Sequence, residues 1–354
     1  MKSLDNHPKK ASVPNRLPNI YYIILDAYAR QDVLAEIFDY NNEKFINHLV
    51  GKSFYVADKS VANYCFTKLS LASSLNFAYP EYVGDETTSH APLYELIWNN
   101  RTSKILEKHG YKSKFIYTSG GGFEKSEPPD SFTFEKSYIW SANAFHQIVL
   151  NSTPVPYVFI DEFDVHRREV LFAFDKIEEL SVEEGPLFVF AHITKPHVPF
   201  VFNEIGEPIA PNPRYGLWYT VQKGMDKDEY LDLYKKQLSF INKRVVVMLD
   251  KIMSNSPEPP IIILQSDHGP TLGYGSDLAN SNIKMLFSIL NAYYFPDGGE
   301  QYLYPAISPV NTFRVILKHY FNMDINLVTD KHFFALSKHP YKLYNITEKI
   351  REMN

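Results

Sequence analysis

The chain has 354 residues, 45% hydrophobic and 22% charged, which is enough apolar material for one large core. Its 36 basic residues are scattered and outnumbered by 41 acidic ones, giving a net charge of −5, so nucleic acid is not an expected partner. The one cysteine, Cys65, excludes an intrachain disulfide and a cysteine-built zinc site, and no run of about 18 apolar residues offers a membrane span.

Residues 1–17 are polar and lack the apolar core of a secretory signal, so they read as a disordered leader. A single domain is expected over 18–345, with a short tail at 346–354. The run Ile20–Leu25 is short, apolar and β-branched, as a buried parallel strand is, and it ends in Asp26. Helices are expected near 31–38 and 43–50, then a strand at 53–57. Residues 67–75 read as a helix with Leu71 and Leu75, four apart, facing inward. Two helices at 92–99 and 102–109 precede a strand at 113–117, and Gly120, Gly121 and Gly122 break the chain. The Phe-rich middle reads as helices at 139–150 and 163–179. Pro186–Ala191 is a second buried strand, ending in His192, with His197 five residues on. The Pro- and Gly-containing stretch 201–225 is expected as a long loop. Helical periodicity then runs over 226–254, placing Leu231, Tyr234, Leu238 and Ile241 on one side. Residues 260–265 are a third buried strand, followed by Ser266, Asp267, His268 and Gly269. Residues 283–295 read as one or two strands. Ser308 and Pro309 suit the N-cap and first turn of a helix ending near 321. His319, His332 and His339 read as surface residues. The alternation is that of an α/β fold, a mostly parallel central sheet with helices on both faces.

Three strand ends thus supply Asp26, His192 and the Asp267–His268 pair, where open α/β sheets place their ligands. Carboxylates with imidazole suit one divalent ion, and Mn²⁺, Zn²⁺, Mg²⁺ and Ca²⁺ all remain open. Asp26, Asp267 and His268 are the expected ligands. Thr67 is the expected nucleophile and a further ligand: it opens a helix whose free N–H groups favour an anion, and a metal lowers a hydroxyl's pKa. His197 is expected to contact the transferred group or act as general acid. His192, Asn63, Lys195 and Arg30 are candidate substrate contacts, the last two through their charge.

These residues resemble the alkaline phosphatase superfamily, in its sulfatase-like branch, which holds sulfatases, lipoteichoic acid synthases and phosphoethanolamine transferases. Pro18–Asp26 resembles the first strand and metal aspartate. Thr67–Leu75 is similar to the nucleophile helix of the phosphoethanolamine transferases. Pro196-His197-Val198-Pro199 resembles the Pro-His-x-Pro element of sulfatases, and Ser266–Gly269 the second metal-binding element. Ile24-Leu25-Asp26-Ala27-Tyr28-Ala29-Arg30, Ser70–Asn76 and Pro309–Arg314 resemble runs in the sulfatase-like domains of bacterial membrane proteins. The resemblance implies an alkaline phosphatase-like fold over roughly 18–345. It also implies a metal-dependent hydrolase or transferase acting on a cell-envelope glycan or phospholipid. The implied location is the extracytoplasmic face of the membrane or the periplasm, reached through a membrane region absent from these residues.

The Cys/Ser-x-Pro-x-Arg motif of sulfatases is missing, because Cys65 is followed by Phe, Thr, Lys and Leu. That favours phosphate over sulfate esters. Ala27 stands where sulfatases often carry a second Asp, and no Asp followed four residues later by His offers a second metal site before Asp267. One metal is therefore expected. Two alternatives are a sulfuric ester hydrolase and a non-catalytic envelope protein that binds polysaccharide on the same fold.

Overall fold

The computed structural model describes residues 17–80, 88–118, 131–132, 162–209 and 224–353. The leader, the Gly120–Gly122 break, the helix expected at 139–150 and most of the 201–225 loop lie outside them.

Seven strands form one sheet: β1 (Ile20–Leu25), β2 (Tyr55–Val56), β3 (Lys112–Tyr117), β4 (Ser131–Phe132), β5 (Leu187–Ile193), β6 (Ile261–Gln265) and β7 (Asn291–Tyr294). Their order is β2-β7-β6-β1-β5-β3-β4. The five from β6 to β4 are parallel, and β7 and β2 add antiparallel pairs at one side. In β1, alternation sends Tyr21, Ile23 and Leu25 to one face and Ile20, Tyr22 and Ile24 to the other. Both sets are fully buried, which is why the strand is apolar throughout.

The first face is covered by α1 (Gln31–Phe38), α2 (Glu43–Gly51), α6 (Glu162–Leu180) and α7 (Lys227–Asn255). The second is covered by α3 (Thr67–Asn76), α4 (Ala91–Trp98), α5 (Arg101–Lys108) and α9 (Pro309–Phe321). A third cluster joins α8 (Ile283–Phe287) to α10 (Thr347–Met353), beside a hairpin of β8 (Phe333–Leu336) and β9 (His339–Asn345). The long helix α7 starts on the Asp226 carboxylate, which accepts from the N–H groups of Asp228 and Glu229. No helix among the described residues is long and apolar enough to cross a membrane.

Several expectations need correction. Residues 283–295 are not all strand: the Asn282 side chain accepts from Met285 N–H at 3.0 Å, and this cap starts a helix before β7 begins. The strand expected at 53–57 is only Tyr55–Val56. Ser308 precedes α9, but its hydroxyl bonds Asp330 and caps nothing. His332 is 5% exposed, its Nδ1 2.9 Å from the Ala62 carbonyl oxygen, so it is no surface residue. The segment beyond 345 carries α10, anchored by buried Ile346 and Ile350.

Candidate active site

Strands β6, β1 and β5 are neighbours and run in one direction, so their carboxyl ends open at one place. This adjacency brings together residues far apart in sequence. Asp26, His192, Asp267 and His268 are 4%, 0%, 2% and 3% exposed, a degree of burial that charged groups tolerate only with partners.

His268 touches three of the other candidate residues through one ring nitrogen. His268 Nε2 is 3.5 Å from Asp26 Oδ1, 3.5 Å from Asp267 Oδ2 and 3.2 Å from Thr67 Oγ1. His268 Nδ1 lies 2.7 Å from the Gly269 carbonyl oxygen and donates to it, leaving the Nε2 lone pair for the cluster. Asp26 Oδ1 and Asp267 Oδ2 are buried without a hydrogen-bond partner. Four tetrahedral donors about 2.0–2.1 Å from a zinc ion stand about 3.4 Å apart. The orphaned carboxylate oxygens and these separations suit a divalent cation.

His192, expected as a substrate contact, lies beside Asp26 and Asp267. Asp26, His192 and Asp267 offer ligand atoms within 4.8 Å of one another, and His192 Nε2 is 3.6 Å from Asp26 Oδ2. Burial, with help from His268 and His197, pushes His192 down to about 4 against the pull of Asp267. Its imidazole is neutral at pH 7, the form that ligates a metal. Burial pushes His268 down as well, but the Asp267 and Asp26 carboxylates outweigh it and raise its pKa.

Thr67 opens α3, a helix with no side-chain cap, so its first N–H groups have no side-chain acceptor at the cap. Thr67 is half-buried, while α3 from Leu69 onward is buried on every side. Cys65, two residues earlier, is fully buried; its sulfur accepts from the Tyr274 hydroxyl at 3.1 Å, and burial pushes the thiol up to about 11. That thiol is not an available nucleophile.

His197 is half-buried, its ring edge-on to His268 with centroids 6.2 Å apart. Its N–H donates to the Asp26 carbonyl at 3.1 Å, tying two strand ends together. His197 Nδ1 is 2.6 Å from the Val198 carbonyl oxygen, which leaves Nε2 for other work.

Three expected substrate contacts are engaged elsewhere. Arg30 is 7% exposed and holds both Asp32 oxygens and the Ser60 carbonyl. Asn63 accepts from Val310 N–H at 2.9 Å, supplying the α9 cap that Ser308 does not, and donates to Ser308 Oγ and Lys331 O. Lys195 is fully buried, its Nζ 2.9 Å from His166 Nε2 and 2.9 Å from the Thr194 carbonyl oxygen; burial pushes it down to about 7 although Asp26 and Glu169 pull it up. No sequence signal points to the buried His166–Glu169 pair, Nδ1 to Oε2 at 3.2 Å, behind Lys195. Tyr274, which also donates to the Cys65 carbonyl at 2.9 Å, carried no motif either.

The family model described as Sulfatase matches residues 18–313. No curated protein matches. Among solved structures, the C-terminal periplasmic domain of EcEptC from Escherichia coli, in complex with Zn, has a TM-score of 0.56 at 12% identity, covering 95% of this chain and 94% of that one. The C-terminal periplasmic domain of phosphoethanolamine transferase EptC from Campylobacter jejuni has a TM-score of 0.52 at 12% identity, with coverages of 89% and 92%. A putative sulfatase, yidJ, from Bacteroides fragilis has a TM-score of 0.57 at 13% identity, with coverages of 95% and 85%.

Proposed function

Because this chain belongs to the Sulfatase family and has the alkaline phosphatase-like fold, we propose that it is a metal-dependent transferase or hydrolase of phosphate esters, with Thr67 as nucleophile. The observation that carries the reading is Thr67 Oγ1 at an uncapped helix start, 3.2 Å from His268 Nε2 beside two carboxylates with orphaned oxygens. Asp26, Asp267 and His268 would hold one divalent ion, with Thr67 as a further donor and His192 alongside. Such an ion lowers a hydroxyl's pKa and offsets the charge of ester oxygens.

The ionised Thr67 oxygen attacks phosphorus in line. The Oγ1–P bond forms as the P–O bond to the leaving alcohol breaks, and His197 Nε2 gives that oxygen its proton. The N–H groups at the start of α3 receive the phosphoryl oxygens. In the second step an acceptor hydroxyl or water attacks the phosphothreonine and gives its proton to His197. Thr67 leaves as it began, and the phospho-group has moved from one oxygen to another.

The proposed substrate is an envelope glycan or phospholipid, and the proposed location is the extracytoplasmic face of the membrane or the periplasm. Support comes from two neighbours described as periplasmic domains, one of them a phosphoethanolamine transferase. Sulfuric ester hydrolysis is the second reading, supported by the family and by the putative sulfatase of like fold. The test is release from aryl phosphate mono- and diesters and an aryl sulfate, with Zn²⁺, Mn²⁺ or chelator, for wild type and Thr67→Ala. Metal-dependent, Thr67-dependent release from a phosphate ester is expected. Release from the sulfate alone would transfer the assignment to the second reading.

A further inference from the structure

Two side chains of α7 grip the loops that carry the site without lending it an atom. Tyr234 and Gln237 lie one turn apart and are fully buried. The Tyr234 hydroxyl donates to the Ala27 carbonyl at 2.8 Å and accepts from the Ala29 N–H at 3.2 Å. Between these contacts Ala27 has φ +60°, the left-handed region that a residue with a Cβ occupies only when held there. Gln237 Oε1 accepts from Val201 N–H at 2.9 Å, and its Nε2 donates to the Pro196 and His197 carbonyls, both at 3.0 Å.

The held torsion has leverage. The Ala27 N–H donates to Asp267 Oδ1 at 3.3 Å, and the Asp26 carbonyl accepts from His197 N–H. If Ala27 relaxed out of the left-handed region, the peptide groups flanking it would turn and carry Asp26 away from both partners. We propose that Tyr234 and Gln237 are positioning residues of this site. Tyr234 keeps Ala27 left-handed and so sets Asp26 against Asp267; Gln237 fixes the 196–201 loop and so sets His197 over the same point. The proposal rests on the reading of this cluster as a metal-dependent ester site.

The test measures Zn²⁺ affinity by chelator competition on the full chain: wild type, Tyr234→Phe, Ala27→Gly, the double variant and Gln237→Leu. Tyr234→Phe should weaken zinc binding about 10- to 100-fold, as loss of a group supporting a ligand does. Ala27→Gly should stay within about twofold. The double variant should recover to within about threefold of wild type, because glycine adopts a positive φ without strain. Gln237→Leu should keep zinc affinity within about twofold yet lower kcat on an aryl phosphate about tenfold with little change in KM.

Unchanged affinity in Tyr234→Phe, or no recovery in the double variant, would overturn the role of Tyr234. If Tyr234→Phe does not fold, folding of the double variant supports the clamp and its failure overturns it. A Gln237→Leu protein that loses zinc affinity as Tyr234→Phe does, or keeps its kcat, overturns the role of Gln237. A wild type that binds no zinc fails the metal-site reading itself and takes the proposal with it, a result distinct from the variants failing to differ.

Discussion

Gln265 and Asp267 lie two residues apart at the end of β6, both buried, and their surroundings follow opposite rules. Gln265 accepts from the Tyr22 hydroxyl at 2.7 Å and donates to Asn291 Oδ1 at 3.0 Å and Thr312 Oγ1 at 3.3 Å; Asn291 donates on to Tyr293 and Ser60. Each of those polar atoms has a partner. Around Asp267 the converse holds, with one oxygen of Asp267 and one of Asp26 left over. A satisfied buried network fixes a structure, whereas buried carboxylate oxygens with no hydrogen-bond donor are open to a cation. The packed frame and the candidate site meet between these two residues.

The largest expected effect lies on the chemical side. Thr67→Ala should lower metal-dependent turnover of a phosphate ester by about 10³-fold or more, as loss of a nucleophile does, with the apparent melting temperature nearly unchanged. Gln265→Leu should do the reverse. It takes the Gln265 partner from the Tyr22 hydroxyl and from Asn291 Oδ1 in the core, so stability should fall by about 3 kcal/mol in urea titrations, with or without metal. Asp267→Asn distinguishes the two regions by sign. It should weaken metal binding more than about 100-fold, yet the metal-free protein should be more stable than wild type, because one of two crowded carboxylates has lost its charge.

Lys195 gives a smaller, pH-dependent effect. Its pKa falls from 10.5 to about 7 on burial. Below about pH 7 folded and unfolded chains both carry the proton, and the folded state bears the whole cost of a buried charge. Between about 7 and 10.5 the folded amine is neutral while the unfolded one stays charged, so stability climbs with pH. Relative to Lys195→Met, wild type should gain about 2 kcal/mol between pH 7 and 9 in denaturant midpoints, and parallel pH profiles for the two proteins would refute the burial argument. The smallest effect belongs to the frame: Asn282→Ala should cost about 1 kcal/mol through the lost cap of α8 and leave metal affinity alone.

The same division explains what could be read from the sequence. Buried parallel strands advertise themselves by composition, so β1, β5 and β6 and the residues at their ends were legible, and Asp26, Thr67, Asp267 and His268 meet. Long-range hydrogen bonding leaves no local trace. Asn63 looked like a substrate contact beside the Thr67 helix, yet it caps a helix that starts at Pro309. Arg30 and Lys195 suggested charge for an anion, but one is paired with Asp32 and the other is turned into the protein. Residues 283–295 misled because their apolar run hides a side-chain cap at Asn282, which decides for helix before composition can decide for strand. Periodicity puts Tyr234 on one side of its helix with Leu238 and Ile241, but it cannot tell a phenol that fills space from one that holds a backbone.

Gly269 closes the Ser-Asp-His-Gly turn where its N–H donates to the Leu286 carbonyl at 2.7 Å. A Cβ there would stand 1.8 Å from the Met285 carbonyl oxygen. A library randomised over residues 266–269 would therefore return glycine at the fourth position from any screen for soluble protein, before selection for turnover began. Invariance at Gly269 would report the packing of α8, whereas invariance at Asp267 would appear only once catalysis was demanded, so the two kinds of constraint in one tetrapeptide can be separated by the order in which the screens are applied.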